Sequence, residues 1–219
     1  MPSWIRNLLK SGRERRPSRS YRPMLECLEA RCLLDANVLQ TNLVSDLPGA
    51  AMFQDPHLVN PWGISSAPKG PFWVSDNNAG VATLYNTAGM PQQLVVSIPA
   101  PGDPTGASGT PTGTVFNLAL GSGAFKISDG THTAPAVFLF ATEDGTIVGW
   151  NPGVDPTGKF DGPNGASTHG VIVVDNSANP SAADGAVYKG MAIATDASGV
   201  TRLYVTNFRS GQVEVYDTN

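Results

Sequence analysis

Three stretches of this sequence repeat one pattern, and the pattern decides the fold. The first is FWVSDNNAGVATLYN at residues 72–86; VFLFATEDGTIVGWN follows at residues 137–151, and LYVTNFRSGQVEVYD at residues 203–217. Each stretch is an apolar strand, a polar turn and a second strand that ends on an aromatic residue followed by Asn or Asp. The pattern recurs about every 65 residues, so we predict an array of units that pack on their neighbours.

Further strand candidates surround each of these hairpins. They lie at 62–65, 72–76, 81–85 and 94–98 in unit one, at 116–120, 137–141, 147–150 and 170–174 in unit two, and at 189–194, 203–206 and 213–216 in unit three. Four short antiparallel strands per unit are typical of a β-propeller blade. We therefore predict an all-β, β-propeller-like domain over residues 38–219, with about three four-stranded blades near 60–98, 115–175 and 187–219. Loops at 99–114, 121–134 and 151–169 lengthen the units.

The number of predicted blades is too small for a closed ring. Propellers close with about four to eight blades, so the sequence predicts an open, partial propeller with an exposed lateral face. In a closed ring, residues 38–44 would complete the last blade. The simplest interpretation is a truncated gene product or fragment, and the alternative is self-assembly of two arcs.

The basic residues concentrate in the first part of the chain. Residues 1–35 hold eight of the 14 Lys and Arg residues and four acidic residues, whereas residues 36–219 hold six basic and fourteen acidic residues. An acidic body argues against nucleic-acid binding, which needs clustered cations. Residues 1–37 are therefore interpreted as a targeting or sorting head, disordered or short-helical. No apolar stretch reaches the ~18 residues of a transmembrane helix.

Two resemblances to known sequences accompany this pattern. The segment LEARCLLDA at residues 28–36 resembles the LEPR-XLL segment of bacterial surface and exported proteins, although Ala30 and Asp35 depart from it. In the body, the elements NLVSDLPGAA, DPHLVNPWGI, FWVSDNNAG, FATEDGTIVGWN, YKGMAIA and LYVTNF resemble a family of uncharacterised bacterial β-propeller-like proteins, related in style to NHL and lactonase-type propellers. The resemblances imply an exported or cell-surface propeller without an assigned activity.

One candidate metal site follows from the repeat. Asp76, Glu143 and Asn207 occupy the turn after the second strand of each unit. Such turns surround the central channel of a propeller, and their oxygens suit Ca²⁺ or Mg²⁺. The lactonase-type resemblance implies that a cation there would polarise an ester and activate water. The alternative is that these residues only stabilise their own hairpin turns.

The histidines and cysteines do not have the spacing that is typical of a catalytic or metal site. His57, His132 and His169 lie at unrelated places in the repeat, and Cys27 and Cys32 lack the CxxC spacing of a redox or zinc pair. Trp73 and Trp150 are interpreted as core residues between blades, with a carbohydrate-stacking surface as the alternative.

The sequence therefore favours a non-catalytic binding or scaffolding module for a protein or glycan partner. A divalent-metal-dependent hydrolase, inactivated by truncation, is the alternative. The pattern predicts neither a ligand nor an oligomeric state.

Overall fold

Three antiparallel sheets follow one another along the chain in a computed structural model that describes residues 39–218. The first sheet pairs the strands at 61–66, 72–76, 81–85 and 91–97 in that order. The second pairs those at 111–116, 138–142, 146–150 and 171–175, and the third those at 188–195, 201–207 and 212–216. Paired strands follow one another along the chain, except that a separate two-stranded hairpin at residues 126–135 intervenes between the first two strands of the second sheet. Such an antiparallel order is the arrangement of a propeller blade. We call the sheets blades 1, 2 and 3. The predicted all-β, propeller-like fold with an open arc is confirmed.

The strands are short, as the turn-rich composition predicts. They are β1 (Val44–Ser45), β2 (Phe53–Gln54), β3 (Pro61–Ser66), β4 (Phe72–Asp76), β5 (Val81–Tyr85), β6 (Pro91–Ser97), β7 (Pro111–Phe116), β8 (Lys126–Ser128), β9 (Thr133–Pro135), β10 (Phe138–Thr142), β11 (Thr146–Trp150), β12 (Val171–Asp175), β13 (Tyr188–Thr195), β14 (Thr201–Asn207) and β15 (Gln212–Tyr216). Among residues 39–218, single 3₁₀ turns occur at Leu120–Ser122 and Pro163–Gly165.

The repeated hairpin forms the second and third strands of every blade. Phe72 pairs with Tyr85, Phe138 with Trp150 and Leu203 with Tyr216, so the aromatic residue ends the third strand each time. Gly80, Gly145 and Gly211 take positive φ in the connecting turns, a conformation that other residues adopt only at a cost. The hairpin pattern in the sequence thus sets both the strands and their register.

Several boundaries differ from the sequence-based prediction. The first strand of blade 2 is β7 rather than residues 116–120, because the Asn117 side chain leaves the ladder and donates to the carbonyls of Ala124 and Ala136. The predicted loop 121–134 contains the hairpin β8–β9. Blade 3 has three described strands, in agreement with the three strand candidates of unit three. The strand β1 overlaps the predicted segment 38–44 at Val44 alone. The compact β unit begins at Thr41.

The core lies between the blades rather than within one of them. One apolar cluster joins blades 1 and 2, where the Trp73 ring stacks on Phe138 at 4.4 Å between ring centroids. A second cluster joins blades 2 and 3 and includes Leu139 and Leu203, both fully buried. Each blade supplies one layer, so a blade without its neighbour would expose half of a core.

The outer face of blade 1 is covered by the segment that precedes it. Val44 packs against the cluster of Leu58, Val74 and Tyr85, and the Tyr85 hydroxyl donates to the buried Asp55 carboxylate at 2.8 Å. The predicted targeting head, with both cysteines, lies outside the described residues. Within residues 39–218, no helix is long and apolar enough to span a membrane.

Candidate functional site

The inner strands of the three blades begin at the same end of the arc. β3, β7 and β13 lie side by side and are the first strands of blades 1, 2 and 3. A glycine occupies the third position of each strand core, in Pro-Trp-Gly63, Pro-Thr-Gly113 and Tyr-Lys-Gly190. This repeated glycine is a signal that the sequence analysis did not use. It lets the strand backbones approach closely, so the hairpin turns at this end converge.

Polar side chains from two blades meet directly where the turns converge. Asn77 in blade 1 donates from Nδ2 to Glu143 Oε2 in blade 2 at 2.9 Å and to the Pro111 carbonyl at 3.3 Å. Asn60 donates to the side-chain oxygens of Asn77 and Asn78, both at 3.1 Å. The predicted convergence of the turns is therefore present, although Asn77 rather than Asp76 makes the connection.

Blade 3 joins the same group through a lysine. Lys189 forms an ion pair with Glu143, and its ammonium lies 4.9 Å from the ring centroid of Trp62 and 5.8 Å from that of Phe208. The hydrogen bond from Lys189 holds the pKa of the Glu143 carboxyl below its usual range. Trp62 is 45% exposed and Phe208 74% exposed. We call Trp62, Asn77, Glu143, Lys189 and Phe208 the axial cluster.

A small cavity adjoins the axial cluster along the inner strands. Its volume is about 220 Å³, and Trp62, Lys189 and Met191 contribute to its wall. Thr114 also contributes to the wall, and its hydroxyl oxygen is buried without a hydrogen-bond partner. A concave site that combines an aromatic side chain, apolar groups and a few polar groups is typical of ligand binding.

The three predicted metal ligands do not present a shared set of oxygens. Asn207 Oδ1 accepts from the backbone N–H groups of Val187, Arg209 and Ser210, so its side chain folds back onto its own turn. Glu143 is engaged by Lys189 and Asn77. Among residues 39–218, no group of three or more His, Cys, Asp or Glu residues has the arrangement of a metal site.

Asp76 is the predicted ligand with spare capacity. Its side chain is fully buried; Oδ2 accepts from the Thr83 hydroxyl at 2.6 Å, and Oδ1 has no partner. Burial, with a smaller contribution from the nearby Asp55 charge, raises the pKa of this carboxyl to about 7. In this conformation the three residues offer a cation one free carboxylate oxygen, and the metal site remains a prediction.

The three histidines pair with three different aspartates. His57 contacts Asp55 at 3.1 Å and His132 contacts Asp129 at 3.0 Å. His169 lies 3.8 Å from Asp155. The Trp73 and Trp150 side chains are buried, so the prediction that they form core is supported and a carbohydrate surface built on them is excluded.

Comparisons with known proteins give relatives of unassigned function. No protein-family model matches the chain. Two uncharacterised proteins of Acanthamoeba polyphaga mimivirus are each 30% identical, over 177 and 178 residues, which is 81% of this chain. The aligned parts are 38% and 40% of those proteins. The chain thus spans about two fifths of the length of the curated relatives it matches.

Solved structures with detectable similarity are distant. A streptogramin B lyase aligns with 72% of this chain and 40% of its own, at 13% identity and a TM-score of 0.35. A PQQ-bound aldose sugar dehydrogenase from Streptomyces coelicolor aligns with 74% of this chain and 60% of its own, at 14% identity and a TM-score of 0.26.

Proposed function

We propose that this protein is a non-catalytic binding module, exported or displayed at a cell surface, whose ligand site is the axial cluster. The observation that carries the proposal is the Lys189 ammonium, which lies over the exposed rings of Trp62 and Phe208 while it pairs with Glu143. Exposed aromatic residues next to a charged pair are typical anchors of a binding surface.

The chemistry of the axial cluster favours a basic segment of a partner protein. Aromatic faces attract ammonium and guanidinium groups, and the Glu143 carboxylate adds a negative charge beside them. The acidic excess of residues 36–219, fourteen against six basic residues, attracts a cationic partner over longer distances. A Lys or Arg side chain of the partner would take the place that Lys189 now occupies over the rings.

A lysine-containing peptide tests this proposal by isothermal titration. The probe is a short alternating Lys–Gly peptide, and its lysine-acetylated form is the negative control. Trp62→Ala should weaken binding of the unmodified peptide by about tenfold, since a cation–π contact at a partly desolvated site contributes about 1–2 kcal/mol. Leu118→Ala, at another exposed apolar residue, keeps the same net charge and should leave the affinity unchanged.

Two results would exclude the axial cluster as the ligand site. One is equal affinity of the wild-type protein and Trp62→Ala for the unmodified peptide. The other is equal binding of the acetylated peptide, because acetylation removes the positive charge that the aromatic rings and Glu143 recognise.

The unpartnered oxygen of Asp76 keeps the second candidate function, a divalent-metal-dependent hydrolase, open to test. Such a site would bind Ca²⁺ through Asp76, Glu143 and Asn207 after their side chains had rearranged. Calcium binding should then raise the melting temperature of the wild-type protein and not that of Asp76→Asn. An unchanged melting temperature at millimolar calcium would discard the metal site.

A further inference from the structure

The Lys189 side chain occupies the place in the axial cluster that the proposed function gives to a cation of the partner. Its ammonium pairs with Glu143 and lies 4.9 Å from the ring centroid of Trp62 and 5.8 Å from that of Phe208. These contacts join all three blades, since Trp62 lies in β3, Glu143 follows β10 and Phe208 follows β14. The groups that would hold a ligand ammonium thus already hold an ammonium of this chain.

The Glu143 carboxylate keeps its position independently of Lys189. Its Oε2 accepts from Asn77 Nδ2 at 2.9 Å, and the same amide also donates to the Pro111 carbonyl. The Glu143 backbone N–H donates to the Thr110 carbonyl at 2.9 Å. Lys189 uses the other carboxylate oxygen, Oε1. The acceptor for a ligand cation is therefore pre-formed, and Lys189 is the group that has to leave it.

Lys189 and a ligand cation exclude each other from this place. Glu143 supplies one negative charge, and two ammonium groups at one carboxylate oxygen repel each other, more strongly at a partly desolvated site than in water. A ligand therefore binds only to those molecules whose Lys189 side chain has moved away. Its apparent affinity is reduced by the fraction of such molecules.

The cavity beside the axial cluster gives the Lys189 side chain room to move. Its volume is about 220 Å³, and Lys189 forms part of its wall together with Gly113 and Gly190. This space is several times the share of one water molecule, about 30 Å³. The stem of a lysine is flexible, and the Lys189 side chain is 30% exposed. The ammonium can thus leave the two rings without a shift of β13.

We propose that Lys189 is an internal competitor of the cationic ligand, and that a partner binds the axial cluster by displacing it. This mode of binding rests on the axial cluster as the ligand site proposed above. Since one ammonium replaces another over the same rings, the exchange itself contributes little affinity. The net affinity comes from further basic residues of the partner, which the acidic excess of residues 36–219 attracts. The site therefore selects a segment with several Lys or Arg residues over a single one.

Isothermal titration of Lys189→Met with the alternating Lys–Gly peptide tests the competition. Methionine keeps an unbranched side chain and removes the charge. We expect this variant to bind the peptide about tenfold more tightly than the wild type, which corresponds to a Lys189 that occupies the rings in about nine of ten molecules. Arg202→Met is the matched control, because it removes the same charge from an ion pair with Asp196 elsewhere in blade 3. At about 0.15 M salt, which screens distant charges, its affinity should stay within about twofold of the wild-type value.

Amine labelling of the wild-type protein follows the displacement itself. The probe is an N-acetylated alternating Arg–Gly peptide, whose guanidinium groups do not react with amine reagents. Bound peptide should raise the labelling rate of Lys189 severalfold, because the displaced amine is no longer covered by Glu143 and the rings. Lys126, which is exposed in β8, is the reference in the same samples and should keep its rate. An unchanged or lower rate at Lys189 with saturating peptide would contradict displacement.

The titration distinguishes two kinds of failure. Equal affinity of the wild-type protein and Lys189→Met would overturn the competition and leave the axial cluster as the ligand site. Weaker binding by Lys189→Met would also overturn the competition, since Lys189 would then contribute to the ligand contact. If neither protein binds the peptide, the axial cluster is excluded as the ligand site and the competition is excluded with it.

Discussion

Asp76 lies beside a hairpin turn, and its side chain is buried inside its own blade. It ends β4, and the pairing with β5 places it next to Thr83 inside blade 1. The side chain keeps one oxygen without a partner, and burial raises its pKa to about 7. Below pH 7 the protonated form of this carboxyl is therefore favoured in the folded protein, because burial destabilises the charged form.

The raised pKa of Asp76 predicts a stability that falls with increasing pH. The unfolded carboxyl ionises near its ordinary value of 3.8, whereas the folded one ionises near 7. Between these values the unfolded state releases a proton and the folded state does not, so the free energy of unfolding falls by about 1.4 kcal/mol for each pH unit at most. The stability that protonation contributes is complete below the lower value and lost above the higher one.

Urea unfolding at pH 5 and pH 8 measures this effect. Asp76→Asn should reduce the difference between the two free energies of unfolding, because the amide does not ionise and can still accept from Thr83. Asp103→Asn, at an exposed carboxylate that bonds to Ser108, serves as control and should retain the wild-type difference. An identical pH dependence in the wild type and Asp76→Asn would contradict the assignment.

At the scale of the element, the inner strands are the parts that allow the blades to pack. Gly63 and Gly113 remove the side chain at the points where one inner strand meets the backbone of the next. Glycine in a strand interior is unfavourable by itself, so its presence at the same place in β3 and β7 reflects the close approach. These glycines let the inner strands of neighbouring blades approach closely.

Adding one methyl group to this contact should be costly. Gly113→Ala places a Cβ atom 2.6 Å from Met191 N and 2.7 Å from Met191 Cβ, so the strands must separate. We expect the free energy of unfolding to fall by about 2 kcal/mol, as is typical of overpacked cores. Chemical denaturation of Gly113→Ala beside Gly121→Ala, where the added methyl group meets open space, gives the comparison. Equal stability of the two variants would refute close packing at Gly113.

At the scale of the whole molecule, blade 2 occupies a special place. Both of its faces are covered, one by the cluster with blade 1 and the other by the cluster with blade 3. All residues of β10 and β11 are buried, whereas β15 is largely exposed. In an array of packed units, stability comes from the interfaces between neighbours. The central blade has two such interfaces and each end blade has one.

This arrangement predicts an order of amide exchange in a single arc. The amides of β10 and β11 should exchange more slowly with deuterium than those of β14 and β15. Mass spectrometry of the labelled peptides measures the order. Equal protection of both hairpins would show that the three blades open as one unit, and the prediction would then be wrong.

The sequence predicted the elements that depend on local pattern. Alternation of apolar and polar residues places the hairpins, and the closing pairs Tyr85-Asn86 and Trp150-Asn151 mark their ends because the Asn side chain accepts from backbone N–H groups of the turn that follows. The first strand of blade 2 was misplaced since Pro111–Phe116 carries Thr and Gly instead of an apolar run. Its burial comes from the neighbouring blades, which local periodicity does not record.

By itself, the sequence determined the repeat, the all-β class and the open arc, because each rests on spacing along the chain. Tertiary structure alone decided which turn residues meet. Asp76 turns into its blade toward Thr83, while its neighbour Asn77 reaches Glu143 across the interface. Lys189 lies over Trp62 although 127 positions separate them in the chain. Adjacent side chains in a strand point to opposite faces, so the turn sequence leaves open which one crosses to the next blade, and the packing of the inner strands decides it.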